Sequence, residues 1–216
     1  MNDRGLAPAG STRTTSHPRR RTSGMLLPAS CPVCGRKGSV LCKGCAAALR
    51  PAPPGVVPAL LAYDGAGRAL VTALKYRNQR GALRLVGQAL ARQAPSGGVD
   101  AVTWAPTTPA RRRARGFDQA ELLARAVARQ LRCACLPLLR RPPGRPQTGR
   151  SRRERLDGPA FAVRAPVPRR ILLVDDVVTT GATLRAAAAA LRQAGAAEVT
   201  LLALAATPDP WTGPAR

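Results

Sequence analysis

The sequence predicts an α/β protein, a parallel sheet flanked by helices, with a small cysteine-bearing module ahead of it. Three observations carry that expectation. A fully apolar run at 171–174 leads to an alanine-rich helical stretch closed by Gly195 and then to a second apolar run at 199–204. That order is the pattern of a right-handed βαβ unit whose strands are covered on both faces. From residue 100 onward, short strand and helix signals alternate in the same way. Near the N-terminus, four cysteines stand as two C-x2-C pairs.

Taken in order, residues 1–24 are rich in Ser, Thr, Arg, Pro and Gly and offer a core almost nothing, which predicts a disordered basic tail. The cysteine module occupies 25–55 and ends in Pro51-Ala-Pro-Pro-Gly55, whose prolines read as a linker. The main domain is expected over 56–207, with a flexible tail at 208–216. Leu70, Leu74, Leu83, Val86 and Leu90 recur at helical spacing, interrupted around 77–81, so two helices joined by a turn are expected there. Residues 100–105 form a short strand candidate stopped by Pro106, and 118–132 a helix with Leu122, Leu123, Val127 and Leu131 inward. A further strand is expected over 136–139. The Pro-, Gly- and Arg-rich stretch 140–158 is long for a loop in a compact domain and reads as either a functional lid or a solvated surface loop.

Charge narrows the partners. The chain has 216 residues and a formal charge of +24, from 35 Lys+Arg against 11 Asp+Glu, and only Lys37, Lys43 and Lys75 are lysines. Guanidinium forks bind phosphate oxygens bidentately, so anionic partners are expected, although any single arginine is better explained by solvation of the surface. Residues 111–155 hold 14 arginines and three acids, a concentration suited to tracking a nucleic-acid backbone. With Phe117 as the one aromatic in that stretch, a stacking platform for single strands is not expected. No run approaches the ~18 apolar residues of a membrane helix, so no membrane insertion and a cytoplasmic location are expected. In that reducing setting six cysteines are read as metal ligands or small buried hydrophobes.

Cys31, Cys34, Cys42 and Cys45 form C-x2-C-x7-C-x2-C, two knuckles that can each present two thiolates to one tetrahedral ion, and this predicts a compact structural Zn²⁺ site. A dithiol redox pair is the competing reading, but it does not need two matched pairs. Cys133 and Cys135 are expected to be buried side chains rather than ligands.

The segment from Ile171 to Leu184 is the most informative. An apolar strand runs into Asp175 and Asp176, then Val-Val-Thr179-Thr180-Gly181-Ala182-Thr183 opens a helix. A helix N-terminus offers unpaired amides to an anion, and ligands in open α/β sheets lie beyond the carboxyl ends of the strands. Thr179, Thr180, Gly181, Ala182 and Thr183 can therefore wrap a phosphate monoester without a lysine, and Asp175 and Asp176 face whatever that phosphate carries; two carboxylates there suit the vicinal hydroxyls of a ribose. An ordinary strand–turn–helix with a threonine cap would need one such polar residue rather than five. The segment resembles the phosphoribosyl pyrophosphate motif of type I phosphoribosyltransferases.

Three further segments resemble the ComF family, whose members include proteins of DNA uptake. Tyr63 with Leu74-Lys75-Tyr76-Arg77 is similar to its Leu-Lys-Tyr-Arg box. Arg115-Gly116-Phe117-Asp118-Gln119 is similar to its Arg-Gly-Phe-Asn-Gln segment, with Asp118 in place of Asn. Gln147 to Arg155, then Gly158 and Phe161, follows its Gln-x-Gly-Leu-Ser-x-x-Glu-Arg pattern, with Arg150 in place of Leu. Where the family commonly has Val-Pro-Val-Pro, this chain has Thr103-Trp104-Ala105-Pro106. The resemblance implies a type I phosphoribosyltransferase-like fold that binds phosphoribosyl pyrophosphate or a related ribose 5-phosphate, with Mg²⁺ bridging pyrophosphate and ribose oxygens. It also implies catalytic roles for Asp175 and Asp176 and an association with competence. Two readings follow: a phosphoribosyltransferase acting with a nitrogen nucleophile, or a non-catalytic adaptor that meets single-stranded DNA or a competence helicase through its arginine-rich face.

Overall fold

In the computed structural model, residues 29–76, 80–142, 159–164 and 166–208 are described. Five strands form one parallel sheet: β1 (Ala59–Ala62), β2 (Ala101–Trp104), β3 (Ala134–Cys135), β6 (Arg170–Val178) and β7 (Glu198–Ala206), in the order β1-β7-β6-β2-β3. A two-residue antiparallel pair, β4 (Leu139–Arg140) with β5 (Ala162–Val163), lies beside it. The sheet is central because β6 is apolar on both sides: Leu172 and Val174 join Val102, Leu202 and Leu204 in one core cluster, while Ile171 and Leu173 join Val199 and Ala203 in the other. The first cluster is closed by α2 (Gly65–Tyr76), α3 (Arg80–Ala91) and α5 (Gln119–Leu131), the second by α6 (Ala182–Gln193). At roughly 1.5–3 kcal/mol for each fully buried aliphatic side chain, these two layers are the main favourable term in folding.

Small residues set the helix layer. A Cβ added to Gly87 of α3 would lie 2.7 Å from Ala126 Cβ and 2.9 Å from its carbonyl carbon on α5, so only glycine lets these helices cross this closely. At the N-terminal edge of the sheet, Asp100 accepts from the Arg170 backbone N–H (2.9 Å) and from its guanidinium, tying the start of β2 to that of β6.

Several expectations shift in detail. The strand expected over 171–174 runs to Val178, because β7 continues alongside it and pairs Asp175 with Ala203 and Val178 with Ala206. The strand expected over 136–139 is instead split into β3 and β4 around Pro137, which has no N–H for a ladder. Leu123 and Val127 of α5 are buried, whereas Leu122 and Leu131 are half-buried. Cys133 and Cys135 are also half-buried, packed at the edge of the first core cluster. The proline stretch read as a linker begins by pairing with the sheet: Pro51 bridges Leu61, and Ala62 N–H donates to Arg50 O (2.9 Å). The basic tail 1–24, the last residues from 209 and most of the loop 140–158 lie outside the described residues.

Candidate functional site

Topology fixes where a site belongs. From β2 the chain winds outward through α5 to β3, and from β6 it winds the other way through α6 to β7. Between β2 and β6 the winding reverses, and a crevice opens beyond their carboxyl ends at such a switch point. A cavity of about 170 Å³ lies there, and Asp175, Asp176, Val177 and Thr183 form one wall of it. The acid pair thus arrives at a cavity from consecutive positions of one strand. Asp175 Oδ1 accepts from the Asp176 N–H (2.8 Å). Burial, and secondarily the charge of Asp176, push the Asp175 carboxyl well above the usual carboxylate range. Asp176 is paired with Lys75 Nζ from the last turn of α2 at 2.8 Å, each side chain 16% exposed.

The loop after β6 is built around Gly181, whose φ of +75° puts it in the left-handed region as the N-cap of α6. A Cβ there would meet Arg185 Nη1 at 2.8 Å and Val57 Cγ2 at 3.1 Å, so both conformation and space call for glycine. Of the residues expected to hold a phosphate, Thr183 lines the cavity, Gly181 is buried beneath the turn and Ala182 opens the helix. Thr179 and Thr180 are exposed at the rim. Thr180 Oγ1 accepts from Ala182 N–H (3.3 Å), and its carbonyl accepts from Arg185 Nη1 (2.7 Å). Arg185 therefore places a guanidinium beside this loop, which the sequence pattern does not single out.

The opposite wall comes from the turn after β2, α4 (Pro109–Arg115) and the start of α5, and it supplies residues that sequence reasoning did not place in the ribose phosphate site: Thr107, Arg111, Arg115, Asp118 and Gln119, with Arg141 beyond. Asp118, 3% exposed, is the N-cap of α5; its carboxylate accepts from Ala120 N–H (3.1 Å) and Thr107 N–H (2.9 Å). It thereby pins the turn after β2 to α5, while burial raises its carboxyl. Burial, and then the charge of Arg111, lower the Arg141 guanidinium. A second cleft of about 410 Å³ adjoins the first, sharing Lys75, Arg111 and Arg115 and adding Ala114 and Phe117. The combined site has an acidic floor and a cationic mouth.

Among the described residues, the four cysteines of the two pairs also converge. Their sulfurs all lie within 4.8 Å of one another, and Cys34 Sγ is 3.7 Å from Cys42 Sγ. Two thiolates on one tetrahedral zinc at 2.3 Å would stand about 3.8 Å apart, so the donor set fits such an ion and could hold one. Each knuckle has a local cause. Cys31 accepts Gly35 N–H at its carbonyl (2.8 Å), with Gly35 at φ +78°, and Cys42 caps α1 (Lys43–Ala47). Burial raises the Cys31 thiol, but the backbone amides of Cys42, Cys34 and Val33 outweigh it and bring it down to about 6; the neighbouring Cys42 and Cys34 push Cys45 up to about 12. Four clustered sulfurs cannot all carry charge without a cation.

Comparison with known proteins fits this geometry. Residues 119–214, from α5 to the end of β7 and beyond, match the family model of the phosphoribosyl transferase domain. Part of the chain is similar to the competence protein ComFC of Streptococcus pneumoniae (strain ATCC BAA-255 / R6), at 36% identity over 102 residues, across 46% of this chain and 44% of that one. The matched part thus spans less than half the length of that relative. Among solved structures, the glutamine phosphoribosylpyrophosphate amidotransferase from B. subtilis overlays 58% of this chain and 26% of its own at 24% identity and a TM-score of 0.42. The adenine phosphoribosyltransferase from Leishmania donovani overlays 77% and 83% at 14% identity and a TM-score of 0.38. At such scores these overlays add no weight to the sequence match.

Proposed function

We propose that this protein binds a ribose 5-phosphate ligand such as phosphoribosyl pyrophosphate in the cavity between β2 and β6. In this reading 179–183 hold the phosphate and Asp175 and Asp176 hold the ribose hydroxyls. The observation that carries it is that both adjacent carboxylates and Thr183 face one cavity at the switch point of the sheet. Lys75, Arg111 and Arg115 then face the pyrophosphate end, and Arg185 adds charge beside the phosphate loop. Mg²⁺ fits the donor set, since it is usually held by one or two carboxylates together with substrate phosphates. Asp175, half-buried beside a second carboxylate and without an ion-pair partner among the described residues, is the group a cation would relieve. Asp175 and Asp176 would hold such an ion, which would supply positive charge to offset the leaving pyrophosphate. The carboxylates orient the sugar, and their negative charge favours positive charge developing at C1 as a nitrogen nucleophile displaces pyrophosphate. The similarity to a competence protein supports an association with DNA uptake, and Zn²⁺ at Cys31, Cys34, Cys42 and Cys45 is the structural metal of this reading.

Calorimetric titration of phosphoribosyl pyrophosphate with Mg²⁺ tests it: wild type should bind, and Asp175→Asn/Asp176→Asn should lose roughly 100-fold or more in affinity, as expected when two charged hydrogen-bonding groups are removed. Equal binding by both proteins would refute the site. Release of pyrophosphate with a panel of bases would make the protein a phosphoribosyltransferase. Ligand binding without release from any base would favour the second reading, an adaptor meeting single-stranded DNA or a helicase, which the exposed Arg111, Arg112 and Arg113 of α4 support.

A further inference from the structure

Gln119 is the first residue of α5 and is among the residues that line the same cavity as the acid pair. It is 3% exposed, and neither its amide oxygen nor its amide nitrogen has a hydrogen-bond partner among the described residues. A buried amide without partners is costly to a fold. Trp104 Nε1 is likewise unpartnered, but Trp104 belongs to the core cluster and is not among the cavity's lining residues. Gln119 alone joins burial, lack of partners and a place in the site. Its neighbours are already engaged: the Asp118 carboxylate caps α5 and holds Thr107, and Asp176 is paired with Lys75. The wall around Gln119 is otherwise cationic, through Arg111 and Arg115. Those guanidiniums suit an anion, whose oxygens only accept and so cannot satisfy the amide oxygen of Gln119. That oxygen and the adjacent NH₂ call for a ligand edge on which a donor stands beside an acceptor, as on a nucleobase, which a glutamine can meet bidentately.

We propose that Gln119 is the residue that reads a nucleobase edge in this cavity, so that the nitrogen nucleophile, or the nucleotide in the reverse direction, is a base with adjacent donor and acceptor atoms. This inference rests on the ribose 5-phosphate reading of the same cavity and extends it past C1. The test titrates AMP, GMP, CMP, UMP and, separately, ribose 5-phosphate into wild type, Gln119→Leu and Asp175→Asn/Asp176→Asn. At least one nucleotide should bind wild type more tightly than ribose 5-phosphate does. Gln119→Leu should weaken that nucleotide by roughly 10-fold or more and leave ribose 5-phosphate unchanged. The free Gln119→Leu protein should melt no lower than wild type, because an apolar group then replaces two unpartnered polar atoms; a glutamine with a merely structural role would give a lower melting temperature. No preference for any nucleotide, an equal loss for both kinds of ligand, or a lower melting temperature overturns the role of Gln119 while leaving the ribose site standing. If wild type binds none of these ligands, both readings fall.

Discussion

Asp175 carries opposing demands at the residue scale. A ligand diol calls for a carboxylate, yet burial and the neighbouring Asp176 favour its protonated form in the free protein. Asp118 is raised by burial in the same direction. Both native pKa values therefore lie above the unfolded value of about 3.9. Between the unfolded and native values the folded chain binds more protons, so the stability of the ligand-free protein falls as pH rises through that window. Asp175→Asn is neutral at every pH and keeps an oxygen to accept the Asp176 N–H. It should melt above wild type at pH 7, by about 2–4 °C for each kcal/mol recovered, at about 1.4 kcal/mol for each unit of pKa elevation. The difference should close as pH falls below about 4, and thermal melts across that range would show it. A variant less stable than wild type at pH 7, or a pH-independent gap, would mean that the carboxylate is not held under this penalty.

At the scale of elements, legibility followed sequence distance. Asp175 to Thr183 could be read because strand, acid pair, turn and helix are consecutive, and β6, the turn and α6 keep that order in space. The Lys75–Asp176 pair joins two distant parts of the chain, and although Lys75 stood in a segment resembling a family box, no one-dimensional pattern gave it Asp176 as partner. Asp118 and Gln119 stood in a segment resembling a family motif, yet their roles depend on the turn after β2 folding back onto α5. Periodicity found α2, α3 and α5 but could not find that β6 runs on through the acids, because β7 decides that. The arginines of α4 illustrate the reverse case. Arg111, Arg112 and Arg113 are all exposed, with Arg112 3.4 Å from Glu121, so part of the basic stretch that composition marks is open to solvent. If this helix meets single-stranded DNA, Arg112→Ala/Arg113→Ala should lower the slope of log K against log [salt] by roughly 1.4, at ~0.7 for each phosphate no longer neutralised. Fluorescence anisotropy over a salt series measures it, and an unchanged slope would assign these arginines to solvation.

For the whole molecule, the question is whether the cysteine cluster merely precedes the sheet or helps to hold it. Packing favours the second. Val33 and Leu49 lie against the main core cluster, and Arg50 pairs with Asp64 just before α2. Residues 50–52 extend the edge of the sheet beside β1. A Cβ on Gly81 would meet Val40 Cγ1 at 2.8 Å, so the loop between the two knuckles sits directly on the first turn of α3. A metal held by Cys31, Cys34, Cys42 and Cys45 would then stabilise more than its own turns, because releasing it frees the segment that covers one end of the first core layer. At a thousandfold excess of free metal over its Kd, binding to the native state alone contributes about 4 kcal/mol, or roughly 10 °C in melting temperature for a chain of this size. Elemental analysis should give close to one zinc per chain, and Cys42→Ser/Cys45→Ser should lose it together with a melting temperature lower by that amount. Strong chelation of wild type should bring its melting curve to that of the double variant. Zinc retained after the double substitution would exclude this site, and zinc lost with no change in melting would make the module an independent appendage whose packing on α3 does not contribute to the stability of the sheet.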